Sequence, residues 1–257
     1  MRVITCNVNG LRAAHGKGFT DWMLKQKPDI ACLQEIKARE VDLPPEVRTP
    51  KGLHGYFHPA EKRGYSGVAL YSRRAADKVT KGMGIPEFDV QGRFLQADFG
   101  ELSVVSFYLP SGTMGAEAQA RKYQFMDRFL PYLEAMRKRG REFLICGDWN
   151  IAHRDIDVKN WKTNQTTTGF LPEERAWLTR VFEEHGFVDV FRKLDPSPDR
   201  FTWWNAFGNA RARNVGWRID YQVATPGIAK RARKATIAME PIFSDHAPVV
   251  IDYDYEP

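Results

Sequence analysis

The chain has 257 residues, of which 43% are hydrophobic and 27% are charged. This composition excludes a disordered, collagen-like or coiled-coil protein, and a chain of this length can bury a full hydrophobic core. No stretch of about 18 uncharged apolar residues occurs, which excludes a membrane-spanning helix. Lys and Arg (38) outnumber Asp and Glu (32), giving a net charge of +6 that weakly favours a polyanionic partner such as nucleic acid.

The chain shows no internal repeat, low-complexity tract or Pro/Ser/Gly-rich linker. We therefore expect one domain spanning residues 1–257, and a monomer. The N-terminus lacks a secretory cleavage pattern. Each of the three cysteines lies in an apolar run, which predicts buried, reduced thiols in a cytoplasmic protein.

The predicted strands are short apolar segments rich in β-branched and aromatic residues. In chain order they are Arg2–Cys6, Ile30–Leu33, Val68–Tyr71, Leu102–Tyr108, Phe143–Cys146, Ile219–Ala224 and Val249–Tyr253.

Helices are predicted between some of these strands, at Thr20–Lys27, Ala116–Arg139 and Pro172–His185. Apolar residues recur at spacings of three and four along the second helix, which gives it one apolar face. We expect Pro131 to kink that helix or to mark a junction. Short buried strands combined with amphipathic helices predict a layered α/β sandwich.

Polar side chains gather where the predicted strands end or begin. They are Asn7, Glu35, Tyr108, Asp148 with Asn150, Asp220, and Asp245 with His246. A single residue of this kind is most often a turn or a cap. Several of them together indicate groups that converge at one edge of a rigid sheet.

The types of side chain at these positions select the metal. Glu35, Asp148 and Asp245, with the amides of Asn7 and Asn150, offer only oxygen ligands. Carboxylates and amide oxygens suit Mg²⁺, or Mn²⁺ in its place, and the Cys/His spacing of a zinc site is absent.

His246 follows an acidic residue, and Asp220 is a carboxylate flanked by apolar residues that requires a partner. The two favour an oriented Asp–His pair. Together with a metal and a carboxylate that activates water, such a pair is suited to phosphodiester hydrolysis.

With these residues in place, the sequence resembles the exonuclease III/AP endonuclease family of the endonuclease–exonuclease–phosphatase superfamily. The resemblance runs in family order from residue 6 to residue 248. The matching segments are CNVNGLRA (6–13), CLQEIK (32–37), GYSGVALYS (64–72), FYLPSG (107–112), CGDWNIAH (146–153), GFLPEER (169–175), FTWW (201–204), NVGWRIDY (214–221) and SDHAP (244–248).

The resemblance implies a four-layer α/β sandwich of the DNase I-like type, with two packed mixed β-sheets flanked by helices. It also implies a Mg²⁺-dependent nuclease acting on double-stranded DNA. Such an enzyme would incise 5′ to abasic sites and would clear 3′ blocks or nucleotides by exonuclease, phosphodiesterase and phosphatase activity.

Roles for individual residues also follow from the resemblance. Glu35 is expected to hold the metal with support from Asn7 and with Asp245 nearby, and Asp148 to activate the water that Asn150 orients. Tyr108 and Asn164 are expected to contact the target phosphate, and Asp220 to orient His246. Three candidates for the catalytic base stay open: Asp148, His246 and a hydroxide on the metal.

Trp203, Trp217 and Ile219 match a small apolar pocket that receives a sugar without a base. Because adjacent side chains of a strand alternate, we expect one of Trp203 and Trp204 to face the site and the other to pack inward. The expected DNA-binding cations are Arg12, Lys17, Lys62, Arg63, Arg73, Lys122 and Arg211. Ser111 and Met114 depart from the larger polar or cationic residues common in the family, which bears on the balance between abasic incision and 3′ trimming.

Three other functions compete with this interpretation. The first is a paralogue specialised for 3′-end processing with weak abasic incision. The second is a lipid phosphodiesterase of the same superfamily, which the basic charge and the tryptophans disfavour. The third is a DNA-binding module without catalysis, which the presence of all the acidic residues disfavours.

Overall fold

The computed structural model describes residues 1–257, and two six-stranded sheets form its centre. The first sheet contains, in spatial order, β13 (Ala232–Ile237), β14 (Val249–Tyr253), β1 (Arg2–Asn7), β2 (Ile30–Gln34), β4 (Val68–Ser72) and β3 (His54–His58). The second contains β5 (Lys78–Lys81), β6 (Phe94–Phe99), β7 (Leu102–Tyr108), β8 (Glu142–Asp148), β12 (Asp220–Ala224) and β9 (Val188–Asp189).

Both sheets are mixed. Strands β1 and β2 run parallel in the first sheet, as β7 and β8 do in the second, and the other neighbouring pairs are antiparallel. In the second sheet, Tyr108 and Asp220 both pair with Asp148. This register brings three predicted site residues side by side at one edge.

The two sheets pack face to face, with helices on both outer sides. Val3 and Cys32 belong to the core between the sheets, whereas the alternate residues Ile4 and Leu33 belong to a core under helices. Strands that are buried on both faces carry continuous apolar runs rather than alternating ones.

The helices that cover the first sheet are α1 (Leu11–Gly16) and α2 (Phe19–Lys25), and those that cover the second are α5 (Ala116–Arg137) and α6 (Pro172–Thr179). The order of layers is therefore helix, sheet, sheet, helix. The four-layer α/β sandwich is confirmed.

The other elements connect these layers. They are α3 (Pro45–Arg48), α4 (Pro86–Asp89), α7 (Val190–Leu194), α8 (Pro226–Lys230), the short ribbon of β10 (Trp203–Trp204) and β11 (Gly216–Trp217), 3₁₀ turns at Glu40–Asp42, Asp155–Asp157 and Trp161–Thr163, and a π-helical turn at Arg180–Glu184. None of the helices is both long enough and apolar enough to cross a membrane. The three cysteines are buried and unpaired, as predicted.

All the predicted strands are present, with ends displaced by at most two residues. Helix α5 continues through Pro131, so the predicted junction there is wrong. Phe129, Leu130 and Leu133 pack into the core on both sides of that proline and hold the helix in place. The sequence did not predict edge strands β5 and β13, because their charged residues hide the apolar pattern.

Candidate active site

The predicted polar residues meet at the edge where strands of both sheets end. Asn7 ends β1, Tyr108 ends β7, Asp148 ends β8, and Asp220 begins the antiparallel β12. Glu35 follows β2 directly. Because the sheets pack face to face, these ends are brought together across the interface.

Gly147 allows the close approach of β7 and β8 at this edge. A Cβ atom on Gly147 would overlap the backbone carbonyl oxygen of Phe107. Only glycine therefore permits the pairing that sets Asp148 beside Tyr108.

Asn7 connects the two sheets through its side-chain amide. Its Nδ2 donates to Glu35 Oε1 at 2.8 Å and to Asp148 Oδ2 at 2.9 Å, while its Oδ1 accepts the Asn9 N–H at 3.0 Å. Asn7 is fully buried. It therefore links the Glu35 and Asp148 carboxylates of the two sheets, and its expected role at the metal stays a prediction.

Asp245 lies on the opposite side of the site from β8. Its Oδ1 accepts from Asn9 Nδ2 at 3.0 Å, and its Oδ2 accepts from the Trp203 indole at 3.1 Å. Lys37 Nζ lies 2.8 Å from Glu35 Oε2 and 2.5 Å from Asn9 Oδ1. A chain of hydrogen bonds thus links the Glu35 and Asp245 carboxylates.

The predicted Asp–His pair is present. His246 Nδ1 lies 2.9 Å from Asp220 Oδ2, and His246 Nε2 lies 3.9 Å from Asp148 Oδ2. Asp220 Oδ1 is buried and has no hydrogen-bond partner. The facing oxygen and nitrogen atoms of Asp148, Asp220 and His246 all lie within 4.8 Å of one another.

The pKa values of His246 and Asp148 are each set by opposing effects of burial and neighbouring charges. Burial lowers the pKa of His246, but the charge and hydrogen bond of Asp220, with Asp148 and Asp245, outweigh burial and raise the pKa to about 10. Burial raises the pKa of Asp148, against the opposing charge of His246. The imidazole is therefore a cationic donor at neutral pH, and Asp148 takes up a proton more readily than the carboxylates of Glu35 and Asp245.

The carboxyls of Glu35 and Asp245 behave differently from that of Asp148. Burial raises the pKa of Glu35, but hydrogen bonds from Asn7 and Lys37 lower it overall. Burial also raises the pKa of Asp245, but the His246 charge and the Asn9 and Trp203 hydrogen bonds lower it overall. Both carboxyls are anionic at neutral pH, as a cation site requires.

Tyr108 completes the polar side of the site as a neutral phenol. Burial raises its pKa well above the usual value, and the nearby Glu35 charge adds to this effect. The Arg93 guanidinium lies 4.8 Å from the centre of the Tyr108 ring and donates to the Tyr65 hydroxyl at 2.8 Å. Tyr108 can therefore donate a hydrogen bond but is not a base.

The carboxylates open into a cavity of 890 Å³ with an apolar wall formed by Trp203, Trp217 and Ile219. The two indole rings meet edge to face, with centroids 6.3 Å apart. Trp204, the neighbour of Trp203 in β10, is 2% exposed and packs inward. The predicted alternation of these two tryptophans is confirmed.

Comparison with known proteins agrees with this geometry. The sequence profile of the Endonuclease/Exonuclease/phosphatase family matches residues 4–246. The exodeoxyribonuclease of Bacillus subtilis is 38% identical over 253 residues, which cover 97% of this chain and 98% of that protein. The chain belongs to the exonuclease III/AP endonuclease group of this family.

Solved structures agree with the family assignment over the whole chain. An AP endonuclease from Archaeoglobus fulgidus superposes with a TM-score of 0.88 and 29% identity, covering 99% of this chain and all of that one (100%). The 3′ phosphatase NExo from Neisseria, bound to a product DNA hairpin, superposes with a TM-score of 0.90, 25% identity and coverage of 99% and 100%. As a member of this exonuclease III/AP endonuclease group, the protein is a phosphodiester hydrolase.

Not every residue inferred from the family resemblance lies in the cavity. Asn164 lies in the loop after a 3₁₀ turn, where its Nδ2 donates to the Asn160 carbonyl at 3.0 Å and its Oδ1 accepts from Thr167. Thr167, Thr168 and Gly169 line the cavity, and Asn164 does not. The expected phosphate contact of Asn164 therefore stays a prediction.

Two expected DNA-binding cations are wrong. Lys122 has no solvent exposure and pairs with the equally buried Glu174. Arg73 follows β4, which is antiparallel to β2, so it lies beside Asp29 at the opposite end of the sheet from Glu35. Neither side chain can reach a duplex lying over the cavity.

The other expected cations fall into two groups. Lys62 is exposed and lines the cavity. The exposed Arg12 and Arg63 line a separate pocket together with Lys37, which pairs with Glu35 of the site. Lys17 donates to the Phe243 carbonyl, and Arg211 donates to the Ser244 carbonyl. These two hydrogen bonds hold the segment before Asp245.

Sequence reasoning missed three contributors to this site: Asn9, Lys37 and Arg93. Asn9 and Lys37 each follow a predicted site residue by two positions, and this spacing was the available signal. Arg93 carried no such signal, because it precedes β6 directly and reaches Tyr108 only through the pairing of β6 with β7.

Proposed function

We propose that this protein is a metal-dependent DNA repair nuclease that incises duplex DNA 5′ to abasic sites and clears blocks and nucleotides from 3′ ends. One observation carries the proposal: a carboxylate and imidazole cluster and an apolar wall of two tryptophans share one cavity. The cluster is suited to a phosphodiester, and the wall is suited to a sugar that carries no base.

Support for a DNA substrate also comes from the relatives. They include proteins named an exodeoxyribonuclease and an AP endonuclease, and one solved with product DNA. The exposed Lys62 of the cavity and the exposed Arg12 and Arg63 of the pocket that Lys37 lines supply the positive charge that a duplex backbone requires.

The donor set fits a divalent cation that binds oxygen. Glu35 and Asp245 are anionic, the Asp220 Oδ1 atom is buried without a partner, and no cysteine lines the cavity. Mg²⁺, or Mn²⁺ in its place, would be held by Glu35 and Asp245, with Asp148 and Asn150 near it. The ion would supply Lewis-acid neutralisation of the phosphate charge.

Side chains of this protein accept the proton of the attacking water and donate hydrogen bonds to the phosphate. Asp148 accepts the proton of the attacking water, because His246 already holds its proton at neutral pH. The protonated His246, fixed by Asp220, and the neutral Tyr108 donate to phosphate oxygens. The new bond forms between the water oxygen and phosphorus, the bond between phosphorus and the upstream 3′ oxygen breaks, and that oxygen takes up a proton from solvent to leave as a 3′ hydroxyl.

A single assay tests the proposal. The protein is incubated with Mg²⁺ and two labelled duplexes, one with an internal abasic site and one with a blocked 3′ end. We expect the first duplex to be cleaved 5′ to its abasic site and the second to lose its 3′ block.

EDTA should abolish both reactions, and added Mg²⁺ or Mn²⁺ should restore them. Turnover that resists EDTA would contradict the metal assignment. Release of the 3′ block without abasic incision would favour the paralogue specialised for 3′ ends.

We further propose that residues 1–257 act as one catalytic unit, because both sheets contribute site residues. A monomeric state and a cytoplasmic location stay predictions from the sequence.

A further inference from the structure

Lys122 and Glu174 form an ion pair that has no solvent exposure and lies directly behind the cavity. Lys122 Nζ lies 2.5 Å from Glu174 Oε1. Burying two charges is costly unless each is fully hydrogen-bonded. The proposed chemistry uses neither residue, so the partners that satisfy them indicate what the pair does.

Lys122 holds the backbone of Asn150. Its Nζ donates to the Asn150 carbonyl oxygen at 2.8 Å. Asn150 has a φ of 49°, in the left-handed region that costs energy unless neighbouring contacts fix it. Its N–H donates to Asp148 Oδ1 at 2.8 Å, and its Nδ2 donates to the Leu109 carbonyl at 2.9 Å.

Glu174 holds the adjoining wall of the cavity. Its Oε2 accepts the N–H of Gly169 at 2.6 Å and of Leu171 at 3.1 Å, and its Oε1 also accepts from Gln119 at 3.0 Å. A Cβ atom on Gly169 would lie 3.2 Å from the Asn150 carbonyl oxygen and 3.2 Å from the Trp217 ring. Gly169 is therefore held between the backbone of Asn150 and the ring of Trp217.

We infer that Lys122 and Glu174 are a positioning pair for the hydrolytic reaction, an inference that rests on the proposed function. Lys122 fixes the left-handed backbone conformation of Asn150, so that the backbone N–H of Asn150 donates to Asp148. Glu174 fixes Gly169 against the same carbonyl and against Trp217. The pair thus couples the hydrolytic residues to the apolar wall without touching substrate.

The test combines Lys122→Met with Glu174→Gln, which removes both charges, keeps an unbranched side chain at residue 122 and keeps the side-chain shape at residue 174. Misplacing a reacting group by about 1 Å can cost about 10²-fold in rate. We therefore expect single-turnover cleavage of the abasic duplex to slow by about 10–10²-fold, with DNA affinity changed by less than about threefold.

A mutant cycle with Asp148→Ala separates positioning from general damage, because the backbone N–H of Asn150 acts on Asp148. If the pair acts through this N–H, the same double change costs less than about threefold in the Asp148→Ala background. An equal loss in both backgrounds, or a wild-type rate in the folded double variant, overturns the inference. The matched control is Arg2→Met with Asp252→Asn, an ion pair at the opposite end of the sheet, which should leave the rate unchanged.

A second readout does not depend on activity. Hydrogen exchange of the Asn150 N–H should speed up by about tenfold or more in the double variant, because its hydrogen bond to Asp148 loses support. Unchanged exchange overturns the inference. If the double variant does not fold, Glu174→Gln alone is measured in the same way, and a wild-type result there also overturns it. An inactive wild type with faster exchange in the variant would instead refute the proposed function and leave the pair's role standing.

Discussion

Asp148 receives hydrogen bonds from both sheets, through Asn7 and through the Asn150 backbone, and it faces the cavity. Asp148→Asn keeps the shape of this side chain but removes its capacity to accept a proton. We expect kcat on an abasic duplex to fall by about 10²–10⁴-fold, the usual range for a general base. DNA affinity, measured by gel shift, should change little.

The control for this substitution is Asp254→Asn, an exposed acid paired with Arg233 at the end of the first sheet opposite Asn7. It should keep wild-type kcat. A near-normal kcat in Asp148→Asn would assign the base to another group.

Trp217 forms the apolar wall together with Trp203 and Ile219, and Gly169 packs against its ring. Truncation by Trp217→Ala should admit nucleotides that carry a base. Apolar pocket contacts are worth about 1–3 kcal/mol, so the kcat/KM ratio of abasic to undamaged duplex should fall by about 10–200-fold.

Trp161→Ala is the matched control, because Trp161 lies in an exposed 3₁₀ turn outside the cavity. Its kcat/KM ratio should stay at the wild-type value. If Trp217→Ala also keeps that ratio, discrimination arises elsewhere in the site.

At the scale of elements, His153 joins the segment after β8 to helix α6. Thr179 donates its hydroxyl to the Arg175 carbonyl, so the 2.8 Å contact with His153 makes Nε2–H of the imidazole the donor. Burial, aided by the Arg154 charge, lowers the pKa of His153 to about 4 despite the opposing charges of Asp157 and Asp189. The folded protein therefore holds this imidazole neutral.

The consequence for stability has a definite sign. Between pH 6.5 and pH 4 the unfolded chain binds more protons at His153 than the folded chain, so acid lowers the free energy of unfolding in this window. The stabilisation from keeping His153 neutral is fully present above about pH 6.5, and about 3 kcal/mol of it is lost by pH 4.

His153→Gln should reduce the loss of stability between pH 7.5 and pH 5 in urea unfolding. The exposed His54→Gln serves as the control and should keep the wild-type difference. Equal pH dependence in wild type and His153→Gln would show that His153 does not contribute to acid sensitivity.

At the scale of the whole molecule, the two ends of each sheet have different surroundings. Arg12, Lys62 and Arg63 lie at the end that carries the site, whereas Arg73 lies at the other end. Each cation that contacts a phosphate contributes about one to the slope of log K against log salt. Lys62→Ala and Arg63→Ala should each lower that slope by about one in titrations of duplex binding.

Arg73→Ala provides the internal control, because it removes the same charge at the far end of the sheet. Its slope should equal that of the wild type. If Arg73→Ala lowers the slope as much as Lys62→Ala does, the duplex covers a different face from the one proposed here.

The sequence by itself determined the strands that carry Asn7, Tyr108, Asp148 and Asp220, the layered architecture and the identity of the acidic residues. It missed β6, which lies inside the second sheet. Strands buried on both faces require continuous apolar runs, and these are readable without coordinates. The carboxylates stood out because Glu35, Asp148 and Asp220 interrupt or end such runs. Family resemblance then supplied the roles of Tyr108 and the tryptophan wall.

Only the tertiary structure decided which cations face the site. Lys122 lies on helix α5 among residues that alternate between exposed and buried, and its burial depends on Glu174 from a distant segment. The position of Arg73 depends on the antiparallel pairing of β4 with β2, which determines the end of the sheet at which a strand stops. The charge of a residue depends on that residue alone, so the sequence specified it. Burial and strand direction depend on segments that are distant in the sequence, so only the tertiary structure specified them.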